Sequence, residues 1–405
     1  MVATFLNAVE ATRRQIISAG YILLNRWKNP LECRCQNRVR GKVVVITGAT
    51  SGIGRFTAFD LARKGALVYL AGRSREAGAT VVREVTQATG NRDVHFLPLD
   101  LTEFSSIVTF VQEFLRCEEK LDVLVNNAAV FHHPPKQTQH NLEIVFQTNY
   151  LGVFLLSSLL LDTLRHTPNS QLIFVSSEAH RLVSLKDVET FDPREAVHAE
   201  NFDDHIKLYG ISKLALRIFA QFVAESFPAS VLFLNERSAQ DDGTGDELIP
   251  SDDSDLDIDY EAPNNDDLDF VSHNEPLLDS TTLDSDEPLS AHVNKTWNSN
   301  GILVTEVNPG NVWTPIYRHA WLSWRDMLKR LLCSLLMQDV QEGAQPLIHA
   351  LNSSSLQSGI YLSDILQAEG RPGYDPAVTQ RLLAASVELT GKYLDGTPKE
   401  IYNFI

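Results

Sequence analysis

Cysteine is scarce in this sequence: Cys33, Cys35, Cys117 and Cys333 are the only four among 405 residues. No CxxC pair occurs, and the spacing suits neither a disulfide-rich scaffold nor a zinc module, so reduced thiols and no metal are expected. A long apolar run is missing from the first 41 residues. The candidate there, IISAGYILL at 16–24, stops at Asn25, Arg26 and Trp27. A bilayer span needs about 20 apolar residues, which argues against a transmembrane helix at this place. Positive charge is absent from residues 241–287, which hold 18 Asp or Glu and no Lys or Arg. The formal net charge of −17 is therefore local, because the rest of the chain carries 34 acidic and 35 basic side chains. Without a broad basic surface, a nucleic-acid partner is excluded.

Three zones emerge from this unevenness. Residues 1–41 form a basic segment, and residues 1–42 carry eight basic side chains against two acidic ones. Their apolar run suits an amphipathic helix, lying at a membrane interface or packed on the folded body. Residues 42–236 and 299–405 are expected to make one domain. Residues 237–298 interrupt it with isolated apolar residues and strong like-charge repulsion, which predicts a disordered acidic insertion. Such a loop adds little closure entropy when it leaves from an edge, and it offers a surface to a protein partner.

What is abundant is a regular alternation. VVVIT (43–47), ALVYLAG (66–72), VHFLPLD (94–100), LDVLVNN (121–127), QLIFVSS (171–177) and ILVTEVN (302–308) are short apolar runs. Helix-like stretches at 53–64, 75–89, 103–118 and 141–165 separate the first five. Runs apolar on both faces, alternating with helices, predict an α/β fold: a doubly wound, mainly parallel sheet covered by helices on both faces.

The first turn carries the nucleotide signal. TGATSGIG (47–54) places Gly48, Gly52 and Gly54 where the chain must bend, approach a ligand and pack a helix closely. Ser51, Ile53 and the free amides of the following helix start complete a pyrophosphate cradle. The second strand ends in Gly72 and Arg73, with no carboxylate to accept from ribose hydroxyls. Arg73, and Arg55 directly after the glycine turn, can instead pair with a ribose phosphate, which favours NADP(H) over NAD(H). Asp100, followed by Leu101, ends the third strand near the expected adenine edge. Asn126, followed closely by Ala128, ends the fourth and either ties strand ends together or faces the cofactor.

YGISK (209–213) supplies the chemistry. Tyr209 and Lys213 share a helix face at i, i+4. A phenol with a pKa near ~10 is a poor base at neutral pH, and a nearby ammonium is expected to lower it. Ser177 closes the fifth strand and can hold a carbonyl or carbinol oxygen; Ser176 should point to the other sheet face. Asn149 is expected to hold a water linking Lys213 to solvent, or to bend its helix. His132 and His133 sit together in a Pro-flanked loop, which offers no distributed ligand set, and Ser177 lacks the GxSxG turn of a serine hydrolase.

Together, TGATSGIG, NNAA, Asn149, VSS and YGISK resemble the classical short-chain dehydrogenase/reductase family. VSSEAHRL, VNPGNVWT and EGAQPLIHAL bring the likeness closer to its retinol dehydrogenase-like and WW-domain oxidoreductase-like members. The resemblance implies a Rossmann fold and NAD(P)-dependent hydride transfer by Asn149, Ser177, Tyr209 and Lys213. It also implies that Pro309, Gly310 and Thr314 pass close to the nicotinamide, and it suggests an endoplasmic reticulum surface. Ala129, where the family usually has glycine, and Glu178, after the expected serine, depart from its pattern. Residues 311–337, rich in Trp, Leu and Met, suit a cover over a lipophilic alcohol or carbonyl substrate such as a retinoid or steroid, and a membrane-facing rim. The rival class is a noncatalytic NADP-binding protein that recruits partners through the acidic insertion.

Overall fold

A computed structural model of the chain describes residues 33, 35, 37–196, 202–228, 301–317, 337–353, 356–363, 366–368 and 375–394. The N-terminal amphipathic helix, the acidic insertion expected at 237–298, and residues 318–336 of the expected substrate cover lie outside the described residues.

Eight strands form one sheet in the order β3-β2-β1-β4-β5-β6-β7-β8. They are β1 (Val43–Thr47), β2 (Leu67–Gly72), β3 (Val94–Pro98), β4 (Val123–Asn126), β5 (Gln171–Val175), β6 (Leu303–Asn308), β7 (Ile360–Ser363) and β8 (Leu366–Ala368). All neighbours are parallel except β7 and β8, which pair antiparallel. β1 is VVVIT and buried throughout, because helices cover both of its faces. The chain winds outward in one direction from β1 to β3 and in the other from β4 onward. That reversal opens a crevice at the carboxyl ends of β1 and β4, where ligands bind in open α/β sheets.

Two apolar layers sandwich the sheet. On one face, Ala58 and Leu61 of α1 (Gly52–Arg63), Val81 and Val85 of α2 (Arg75–Thr89), and Leu347 and Leu351 of α7 (Val340–Asn352) pack on Val44, Ile46 and Val68. Helix α7 starts at a capping box in which Asp339 accepts from the Glu342 amide and Glu342 from that of Asp339. On the other face, α3 (Phe104–Cys117), α4 (Ile144–His166), α6 (Phe202–Ser226) and α8 (Pro376–Thr390) bury Phe110, Phe154, Phe219 and Leu383 among others. Each such side chain contributes about 1.5–3 kcal/mol when fully buried. A short α5 (Leu185–Glu189) bridges toward α6 and α8.

Helix α4 is the sheet's central support and the route to the site. Glu143 caps it, accepting from the amides of Val145 and Phe146. The expected continuous helix is interrupted by a π-helical turn over Gln147–Leu151 before the regular part, Gly152–His166. Its length and apolarity would suffice to cross a membrane, but the apolar window is wholly buried in the fold, as in a core helix. The π turn sits directly behind the active edge.

Candidate active site

The glycine turn leaves β1 with Gly48 at φ +68° and Gly52 at φ +54°, conformations that suit residues without a Cβ. A Cβ on Gly54 would stand 2.6 Å from the Gly48 carbonyl oxygen, so this third glycine lets α1 pack against the turn. Asn127 fastens the turn from β4: its Nδ2 donates to the Thr47 carbonyl at 2.8 Å. Thr47 Oγ1 in return accepts from the amides of Asn127 and Ala128, both at 3.0 Å. Asn126 stands one residue earlier and points elsewhere, donating to Ser157 Oγ on α4 at 2.9 Å. That bond runs to a helix rather than to a neighbouring strand end. Asn127 is the residue that sequence reasoning missed, although the doubled Asn of NNAA was its signal.

From this turn a cavity of about 580 Å³ runs along the carboxyl edge of the sheet. Gly48, Ser51, Gly52, Ile53, Arg73, Asp100, Leu101 and Ala128 line its first half. Ser177, Tyr209, Lys213, Pro309, Gly310 and Thr314 line the second. Gly54, Arg55, Asn126 and Asn149 stand outside the lining. Arg55, expected at the ribose phosphate, turns to Glu84 on α2 at 2.8 Å and lies over the Phe59 ring. Its place on α1 brings it beside the neighbouring helix, leaving at the cavity exposed Arg73 and, paired with Glu178, Arg181. The Asp100 carboxylate accepts from the Thr102 amide and hydroxyl at 2.9 and 2.7 Å, an Asx turn that fixes the cavity wall.

Tyr209 and Lys213 project from α6. Tyr209 and Ser177 line the same stretch of the cavity, and Ser177 Oγ accepts from the Ala179 amide at 3.3 Å. Lys213 Nζ donates to the Val175 carbonyl at 2.8 Å and stands 5.6 Å from the centre of the Tyr209 ring. The expected lowering of the phenol pKa does not hold for this arrangement. Tyr209 keeps some surface open to the cavity, yet enclosing protein atoms raise its pKa, and Tyr317 adds to the rise while the Ser177 hydroxyl opposes it. Burial also pulls the Lys213 ammonium down to about 7. Desolvation of both groups outweighs their mutual attraction.

Asn149 lies on the π turn, fully buried. Its Oδ1 accepts from the Val130 amide at 2.8 Å, and its Nδ2 donates to the Val130 carbonyl at 2.9 Å and to Ser212 Oγ at 3.1 Å. Ser212 Oγ then donates to the Tyr209 carbonyl at 2.8 Å. Both amide hydrogens are thereby engaged, so the side chain clamps α6 to the loop after β4. Glu178 faces inward: it accepts from Asn308 Nδ2 at 2.9 Å and from Tyr361 at 2.8 Å, and pairs with Arg181. It ties β6 and β7 to the short helix after Ser177.

An aromatic wall completes the site. Phe131 meets Tyr209 edge to face at 5.1 Å and Tyr317 at 5.7 Å, and Tyr317 stacks on Trp313. Phe131 and Tyr317 were not singled out in the sequence, since nothing in their local pattern marks them. A glycine turn at the crevice of a doubly wound sheet, with a Tyr–Ser–Lys group farther along the same cavity, defines a Rossmann-type nucleotide-binding domain carrying an acid–base site.

The family model described as short chain dehydrogenase matches residues 42–185. Retinol dehydrogenase 11 of Homo sapiens is 39% identical over 198 residues, which cover 49% of this chain and 60% of that protein. Dehydrogenase/reductase SDR family member 13 of Bos taurus is 35% identical over 232 residues, covering 57% of this chain and 56% of that one. The chain thus spans less than two thirds of the length of these curated relatives. A crystal structure of an uncharacterized protein from Mycobacterium Paratuberculosis shares the fold, with a TM-score of 0.52 at 22% identity, over 87% of this chain and 96% of that one. Residues 42–185 of the α/β body thus match the short-chain dehydrogenase model, and the chain is similar to retinol-dehydrogenase-like proteins over part of its length.

Proposed function

We propose that this protein is an NADP(H)-dependent oxidoreductase acting on a lipophilic alcohol and its carbonyl. The observation that carries the reading is the gathering of Ser177, Tyr209 and Lys213 along the same cavity as the glycine turn, with Lys213 Nζ 5.6 Å from the centre of the Tyr209 ring. The residues present suit a dinucleotide: the turn leaves no room for a Cβ at Gly48, where one would meet Ala128 Cα at 2.9 Å, and the amides of the α1 start are offered to phosphate. Arg73, with no carboxylate beside it at the end of β2, suits the 2′-phosphate that distinguishes NADP. The bound nicotinamide supplies or accepts the hydride. Ser177 holds the substrate oxygen, and Tyr209 gives that oxygen its proton in reduction and takes it in oxidation. Lys213, whose Nζ stands 5.6 Å from the phenol ring centre, would donate to the ribose hydroxyls of the bound cofactor. Asn149 positions Tyr209 through Ser212, and Pro309, Gly310 and Thr314 close the cavity from the β6 side.

A lipophilic substrate is supported by the aromatic wall of Phe131, Trp313 and Tyr317, which offers apolar contact next to the reacting oxygen. The same reading assigns residues 42–236 and 299–405 to one catalytic domain, 237–298 to an insertion with a protein partner, and the basic segment 1–41 to peripheral membrane contact. The test is oxidation of NADPH, followed by its absorbance, across a panel of retinoids, steroids and medium-chain aldehydes. Turnover with at least one is expected. Tight NADPH binding without turnover on any, with membranes supplied, would replace this reading by a noncatalytic cofactor-binding protein.

A further inference from the structure

Away from the cavity, two thiols and an imidazole converge although 314 residues separate them in the chain. Cys35 Sγ lies 3.2 Å from His349 Nδ1 and Cys33 Sγ lies 3.8 Å from it. The three ligand atoms all fall within 4.8 Å of one another, and each residue is partly buried. The segment that brings the cysteines is fastened along one face of α7. The Cys33 amide donates to Gln345 Oε1 at 3.0 Å, and the Arg38 amide to Asn352 Oδ1 at 3.4 Å. Gln345, His349 and Asn352 follow each other at i, i+4 and i+7, so His349 stands between two anchoring points.

The spacing matches a metal better than it matches packing alone. With Zn–S near ~2.3 Å and Zn–N near ~2.0–2.1 Å, a tetrahedral site sets neighbouring sulfur and nitrogen ligands about 3.6 Å apart and two sulfurs about 3.8 Å apart. The two observed S···N separations fall on either side of the first value, and the sulfur pair is within reach of the second. Two thiolates and one imidazole are also a borderline-soft donor set, suited to a d¹⁰ ion and poor for Mg²⁺ or Ca²⁺. We propose that Cys33, Cys35 and His349 bind one Zn²⁺ ion, leaving the fourth position to water or a further donor. Binding through Nδ1 exchanges the thiol protons for metal bonds, Zn²⁺ displacing one H⁺ from each thiol that is protonated. None of the three residues lines the catalytic cavity, so the ion acts as a clip. It joins the N-terminal segment to α7, the helix that follows residues 318–336.

The sequence hid this site because CxC alone is a weak signal and its third ligand is remote. The test uses the tag-free full chain, kept reduced with a non-chelating phosphine, loaded with Zn²⁺ and dialysed against metal-free buffer. Elemental analysis should find about one zinc per chain, falling below about a tenth in Cys35→Ser and His349→Gln and unchanged in Cys117→Ser. Loading the unaltered protein with Co²⁺ gives a second readout that needs no variant: thiolate-to-cobalt charge-transfer absorbance, displaced by added zinc. Zinc content equal in the parent and both variants, or a cobalt spectrum without thiolate bands, would overturn the site. So would recovery of the pair only as a Cys33–Cys35 disulfide under these reducing conditions.

Discussion

Replacing Asn149 with alanine removes three hydrogen bonds from the centre of the molecule, and the cost can be worked from its partners. The Val130 amide and carbonyl, at 2.8 and 2.9 Å from the side chain, are left facing a small apolar gap in a fully buried place. Each unsatisfied buried group costs about 1–3 kcal/mol, so the pair costs about 4 kcal/mol at mid-range. For a domain of this size that is a fall in melting temperature of roughly 8–16 °C. Ser212→Ala, which removes the outer bond of the same clamp, should cost about 1 kcal/mol. Urea unfolding of the three proteins at one pH, followed by far-UV circular dichroism, reads both numbers. A loss below about 1 kcal/mol in Asn149→Ala would mean that the Val130 groups find other partners, and the clamp would be refuted.

Lys213 makes a pH-dependent cost. Its ammonium is lowered from 10.5 to about 7 by burial, so the unfolded chain binds more protons between those values and folding stability should rise with pH there. Lys213→Met should abolish that slope and be more stable than the parent at pH 7 while losing activity; unfolding curves from pH 6.5 to 10 check the sign, and parallel profiles would refute it. Gly54→Ala places a Cβ against the fixed Gly48 carbonyl, and a destabilisation of about 1–3 kcal/mol with weakened NADPH binding is expected. Unaltered binding would show that the turn yields. Arg73→Ala should narrow the preference for NADPH over NADH about tenfold or more, and Arg55→Ala, paired with Glu84, much less. Calorimetric titration of both cofactors decides it, and the reverse ranking would move the phosphate site to Arg55.

The architecture was legible because its strands are nearly pure apolar runs. VVVIT and QLIFV could be placed almost to the residue, since burial on both faces leaves no polar position to blur their ends. β7 and β8 escaped notice: IYLS and LQA are too short to show a period, and their pairing partners set their conformation. The π turn in α4 also could not be read, because it follows from the reach of Asn149 to a loop beyond β4. Ser177, Tyr209 and Lys213, expected from compact motifs, lie along one cavity. Arg55 and Asn126 lie outside the cavity lining, reaching Glu84 and Ser157 instead, because one residue along a helix or strand turns a side chain toward a different neighbour. The lowered Lys213 and raised Tyr209 depend on enclosure by distant elements, which spacing alone does not reveal.

The account rests on Tyr209 as the proton-transferring group, and a single-turnover comparison tests it most directly. Enzyme saturated with NADPH is mixed with a lipophilic aldehyde, and loss of the reduced-cofactor absorbance is followed for the parent and for Tyr209→Phe. The phenylalanine keeps the ring against Phe131 and removes only the hydroxyl. NADPH binding within about twofold of the parent and a rate lower by about 10²–10⁴-fold are predicted. An unchanged rate with cofactor bound would contradict the mechanism.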